Sequence, residues 1–165
     1  MCIKQYEFLH GSVLIRISKN DPDATLMMVE KSTDSRSIYT INDEAILYIK
    51  HSKTPTVNRE VNPNRRNWQF TFSINNLREL AAAKKDVHFV LVCAEESLNS
   101  NQSEFCFVSL KFAQKYLDLK DLSKPQTLHV EDDGSGMLRL YSHKRANNAA
   151  NIARNALDAW VIPGS

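Results

Sequence analysis

The sequence predicts an α+β fold: residues 1–165 form one globular domain, with a mixed, mostly antiparallel sheet, an N-terminal helix and further helices packed on it. Three observations carry this. Apolar residues recur at helical spacing near the start. Several short runs rich in β-branched and aromatic residues follow, separated by turn-forming residues. One nearly unbroken apolar run, Val87 to Ala94, has the pattern of a strand covered on both faces.

Ile3, Tyr6, His10, Val13 and Ile17 stand at 3-4-3-4 spacing, so residues 3–18 form one helix face, which Gly11 weakens by about 1 kcal/mol against alanine. Asn20-Asp21-Pro22-Asp23 ends it. Thr25–Val29, Ser37–Ile41 and Ala45–Lys50 read as three strands, the last two joined through Asn42-Asp43, residue types that tolerate positive φ. Trp68–Phe72 alternates aromatic with polar and should bury one face. Ser73 can cap a helix carrying Ile74, Leu77, Leu80 and Ala81, and Lys84-Lys85 suit its C-terminal end. The polar stretch Glu95–Ser103 reads as a loop and Phe105–Val108 as a strand. Phe112, Lys115-Tyr116 and Leu119 suit a short helix ended near Pro125. Thr127–Val130 and Met137–Tyr141 form a hairpin around Gly134 and Gly136. Ala149, Ile152, Ala153, Ala156 and Trp160 recur at helical spacing, which predicts a C-terminal helix stopping before Pro163-Gly164.

Composition excludes more than it selects. Net charge is +2, so a nucleic-acid reading must rest on where the charges sit. Cys2, Cys93 and Cys106 are odd in number and widely spaced, which argues against a disulfide framework or zinc cluster; Cys93 and Cys106 lie in apolar runs as small core residues. No signal-peptide pattern opens the chain, and no window approaches the roughly 18 apolar residues of a membrane span. The expectation is a cytoplasmic protein without a membrane partner. No cofactor signature is present: Gly134-Ser135-Gly136 lacks the lysine of a phosphate-binding loop, and the five histidines stand singly.

The most informative local feature runs from Lys50 to Trp68. It holds Lys50, His51, Lys53, Arg59, Arg65 and Arg66, with Glu60 as its one acid. Such a loop could neutralise phosphates, with Trp68 or Phe70 stacking on a base; a solvated loop accounts for the same charges. A second basic stretch holds Arg139, His143, Lys144, Arg145 and Arg154. The sequence therefore predicts a nucleic-acid-binding surface built from Lys50, His51, Lys53, Arg59, Arg65, Arg66, Trp68, Arg139, Lys144 and Arg145, provided the two stretches share one face. A protein-interaction subunit anchored by Trp160 is the rival reading.

The helix-then-strands opening is weakly similar to the PD-(D/E)XK nucleases, which set an acid near one strand and an acid-x-lysine on the next to hold a divalent metal. Asp43 would be the first acid and Lys50 the lysine, but Tyr48 stands where the second acid belongs. That resemblance implies a degenerate relative, and whether the chain is an enzyme stays open. Tyr39–Glu44, Tyr48–Ser52, Trp68–Ser73, Val90–Cys93 and Ala159–Gly164 together resemble a group of small uncharacterised bacterial cytosolic proteins, over about residue 9 to the end. The resemblance implies a bacterial cytosolic protein. An accessory role in genome maintenance or phage defence is the corresponding expectation.

Overall fold

Helix α1 (Gln5–Asn20) forms where the 3-4 spacing places it, and Leu9, Val13 and Ile17 are its buried stripe. The structure, a computed structural model, describes residues 2–30, 33, 35–53, 55–57, 64–95, 102–142 and 148–165. After α1 come strands β1 (Leu26–Met28), β2 (Ser37–Ile41), β3 (Ala45–Ser52), β4 (Thr56–Val57) and β5 (Arg66–Phe72). Helix α2 (Ile74–Ala82), β6 (Asp86–Cys93), β7 (Glu104–Ser109) and the short α3 (Leu110–Ala113) follow, then β8 (Gln126–Asp132), β9 (Leu138–Ser142) and β10 (Ala150–Ile152).

The strands make two five-stranded sheets among the described residues. The first runs β1-β2-β3-β6-β7 and is mixed, its one parallel pairing being β3 with β6. The second runs β10-β9-β8-β5-β4 and is antiparallel throughout. Because side chains alternate across a strand, β3 sends Leu47 and Ile49 toward α1, and Tyr48 and Lys50 to the other side. One core lies where the sheets face each other: Tyr48, Phe89 and Leu91 meet Trp68, Phe70, Phe72, Val130 and Leu140, with Leu77 and Leu80 of α2 closing it. The second core lies between α1 and the other face of the first sheet and takes in Leu157 and Ile162. β3 and β6 are thus covered on both faces, which is why Val87 to Ala94 reads as continuously apolar. Cys93 and Cys106 are fully buried in the first core.

The local signals act as their chemistry demands. Asn42 and Asp43 adopt φ of 51° and 56°, the left-handed pair that closes the β2–β3 hairpin. Asn42 Oδ1 accepts from Thr25 N at 2.7 Å, and its Nδ2 donates to Pro163 O at 2.9 Å. Gly164 sits on that turn at φ +77°, where a Cβ would come within 3.1 Å of Glu44 and 3.2 Å of Asn42, so only glycine fits without displacement. Ser73 Oγ accepts from Asn76 N at 3.2 Å and so caps α2.

The C-terminal segment corrects the sequence. No helix forms over 149–160; residues 150–152 add a strand to the second sheet, with Ile152 opposite Leu138, and turns follow. Alanine-rich helical spacing loses here to pairing with an available edge and to burial of Ile152. The helix expected around Phe112–Leu119 is also shorter, four residues followed by turns.

Candidate functional site

Three of the arginines expected to grip phosphate, Arg65, Arg66 and Arg139, are engaged with carboxylates. On the second sheet, even-numbered residues of β5 and β8 face inward, and Arg66 and Asp132 end the two inner rows opposite each other. Arg66 donates to Asp132 Oδ2 at 2.6 Å, to Glu95 Oε1 at 2.5 Å and to Gln102 O at 3.0 Å, and its guanidinium lies 5.0 Å from the Trp68 ring centroid. Arg154 reaches the other oxygen of Asp132 at 2.6 Å and Glu104 Oε1 at 2.5 Å. Burial alone would raise the Asp132 carboxyl, but hydrogen bonds from Arg66, the Gly134 amide and Arg154 hold it below its ordinary range. Glu95 and Glu104 belong to the first sheet's side and Arg66 and Asp132 to the second, so this network clamps the two sheets together at one end.

The odd-numbered residues face outward. There Arg65 of the first basic stretch and Arg139 of the second do meet, donating to one buried oxygen, Glu131 Oε1, at 2.8 and 3.3 Å. Their neighbours are His129, stacked on Tyr141 with ring centroids 5.1 Å apart, and Asn67, which bonds both. One arginine of each stretch, Arg65 and Arg139, therefore lies on this face, where Glu131 and Asp133 offset their charge.

Lys50 and Trp68 require correction as surface contacts. Trp68 is fully buried, its Nε1 donating to Ala94 O at 2.9 Å, so no base can stack on it. Lys50 is 5% exposed; its Nζ donates to Ser35 O at 3.1 Å and Asn76 Oδ1 at 3.5 Å and lies 5.2 Å from the Phe72 ring centroid. Burial lowers its ammonium to about pKa 8, with Arg36 adding to the shift. His51 turns to the α1 side, where His10 Nε2 meets its Nδ1 at 2.9 Å and Ser37 Oγ meets His10 Nδ1 at 2.7 Å. Burial, with His51 and Lys50 nearby, lowers His10 to about 4. Lys53 is exposed. Arg59, Lys144 and Arg145 lie outside the described residues, as does most of the expected Glu95–Ser103 loop. Asp43 pairs with Lys85 at the far end of β3 from Lys50, about 20 Å away at strand rise, so the two do not converge. Trp160, the expected interface anchor, packs on His88 and Phe107 at 4.7 and 4.9 Å.

What the structure assembles instead is a lysine-lined end around the α2 C-terminus, α3 and the loop after it. A cavity of about 500 Å³ is lined by Lys84, Lys85, Lys111 and Lys120 together with His88 and Ser109. A second, of about 750 Å³, is lined by Lys115, Lys120, Lys124, Tyr116, Pro125 and Thr127. Gln114, Leu119 and Lys120 belong to both walls, so the cavities adjoin. Lys84, Lys111, Lys120 and Lys124 are exposed and make no ion pair among the described residues. Three aspartates share these walls: Asp86 in the first, and in the second Asp118, whose Oδ1 accepts from Lys120 N at 2.9 Å, and Asp121, whose Oδ1 accepts from Ser123 N at 3.1 Å. Lys84 and Lys85 offset the α2 dipole, an effect of about 0.3–1 kcal/mol near the last turn, which leaves the four farther lysines without that explanation. The signal was in the sequence as Lys84-Lys85 and as Lys111, Lys115, Lys120 and Lys124, but the two groups look unrelated until β6 and β7 bring their ends together.

Comparison with known protein families, with curated proteins and with solved structures finds no match to this chain. The site's chemistry therefore carries the functional argument.

Proposed function

We propose that the protein binds the phosphate backbone of a nucleic acid through the lysine-lined clefts, and not through the arginine stretches. The observation that carries this is the pair of adjoining concavities sharing Lys120, walled by lysines of which four lack an ion pair among the described residues. Uncompensated ammonium groups release counterions when they meet phosphates, the main sequence-independent source of nucleic-acid affinity. Arg65, Arg66, Arg139 and Arg154 would first have to leave a carboxylate, which weakens their claim. Two free buried thiols accord with an intracellular setting.

The test is retention on immobilised mixed-sequence DNA and RNA at low salt, for the wild type and a variant with Lys84, Lys111, Lys120 and Lys124 changed to glutamine. The wild type should be retained and released as salt rises, and the variant should pass through. Equal retention of both proteins, or none of the wild type, overturns the proposal.

A further inference from the structure

Resting on that reading, we infer that the two clefts take single-stranded nucleic acid, one strand passing from the first cleft to the second over Lys120, and not a duplex. The lysines sit on the walls of concavities. They come from a helix end, from a four-residue helix and from the turns after it. A duplex is read by a helix or a two-stranded ribbon entering its major groove, and none projects from this end among the described residues. A rigid duplex could touch only the rim. A single strand bends, so successive phosphates can follow Lys84, Lys111, Lys120 and Lys124 from wall to wall.

The second cleft adds what a bare phosphate track lacks. Tyr116 lines it, with its ring against Phe112 at 6.4 Å and its hydroxyl donating to Asn148 O at 2.8 Å. A ring fixed at both ends offers a preformed face, and base stacking on such a face tolerates any sequence. Leu119 and Pro125 supply apolar walls beside it. Each cavity falls within the roughly 300–1,000 Å³ of small-ligand pockets, room for a nucleotide and too small in volume to enclose a double helix.

The experiment is fluorescence anisotropy with a labelled twelve-residue oligothymidylate and a labelled duplex of equal length, between about 50 and 200 mM salt. The single strand should bind at least about tenfold more tightly than the duplex. Its log–log salt slope should be about −3, near −0.7 for each of four phosphates. Lys120→Gln should weaken single-strand binding about fivefold to tenfold, and Tyr116→Leu about tenfold at an unchanged salt slope, since it removes stacking and no charge. Thermal unfolding of each variant confirms that it is folded. A duplex bound as tightly as the single strand overturns the single-strand inference and leaves the phosphate reading standing. Binding of neither overturns both. A Lys120→Gln protein that binds as the wild type does overturns the path across Lys120.

Discussion

The two basic ends of this molecule differ in what their charges face. At the arginine end, Arg66 and Arg154 divide the two oxygens of Asp132, a carboxylate 8% exposed, while Arg65 and Arg139 share Glu131. At the lysine end, exposed ammonium groups line two hollows whose walls also hold Asp86, Asp118 and Asp121, yet four of the lysines make no ion pair among the described residues. The planar guanidinium forks suit fixed carboxylate geometry, whereas lysine is a hydrated point charge that loses less by waiting in solvent. Counting positive residues along the chain favours the first region; asking which are already answered favours the second.

That contrast is most directly broken at Asp132. Asp132→Ala leaves two arginines facing a lost partner, and unfolding in urea should show a loss of about 3–5 kcal/mol. A loss under about 1 kcal/mol would mean that the clamp is ornamental and that its arginines are available for ligands after all.

Acid tests whether burial, more than sign, sets the cost of a charge. His10 is 3% exposed and faces Ser37, His51 and Tyr6, with Lys50 close by. Its value falls from an unfolded 6.5 to about 4, so between those pH values the unfolded chain binds the extra proton. Its contribution is intact above pH 6.5 and is lost as pH falls toward 4, about 3 kcal/mol in all. His10→Asn should flatten that limb of the stability–pH curve; an unchanged slope assigns the acid sensitivity to other groups.

A smaller effect is expected at the α2 cap. Ser73→Ala removes the acceptor for the Asn76 amide and should cost about 1 kcal/mol by denaturant midpoint at constant m-value. Smallest of all, Lys111→Gln or Lys124→Gln should move stability by no more than about 0.5 kcal/mol, since neither side chain makes an ion pair among the described residues. A larger loss would show that the lysine end is structural too.

The fold was largely legible because its signals are local. The α1 stripe, the Asn42-Asp43 turn, the Ser73 cap and the doubly covered β6 each follow from residues within one element. The division into two sheets was not legible, since strand pairing between distant segments leaves no mark on either strand. The same limit hid the site. Trp68 and Lys50 looked like the edge of a basic loop, yet each sits on the inner side of an alternating strand, and the register that decides this is set by partners far along the chain. The C-terminal helix failed for a related reason: Ile152 found a strand edge, and small residues on either side of it do not resist being extended.

The parallel pairing of β3 with β6 has one more consequence. The connection between those two strands contains β5, the strand joining β4 to β8 in the other sheet. Neither half of the sandwich can be excised without cutting the other, so no fragment should refold by itself. Both sheets should melt in a single cooperative step, because the two long-range pairings, β3 with β6 and β5 with β8, interlock the two sheets.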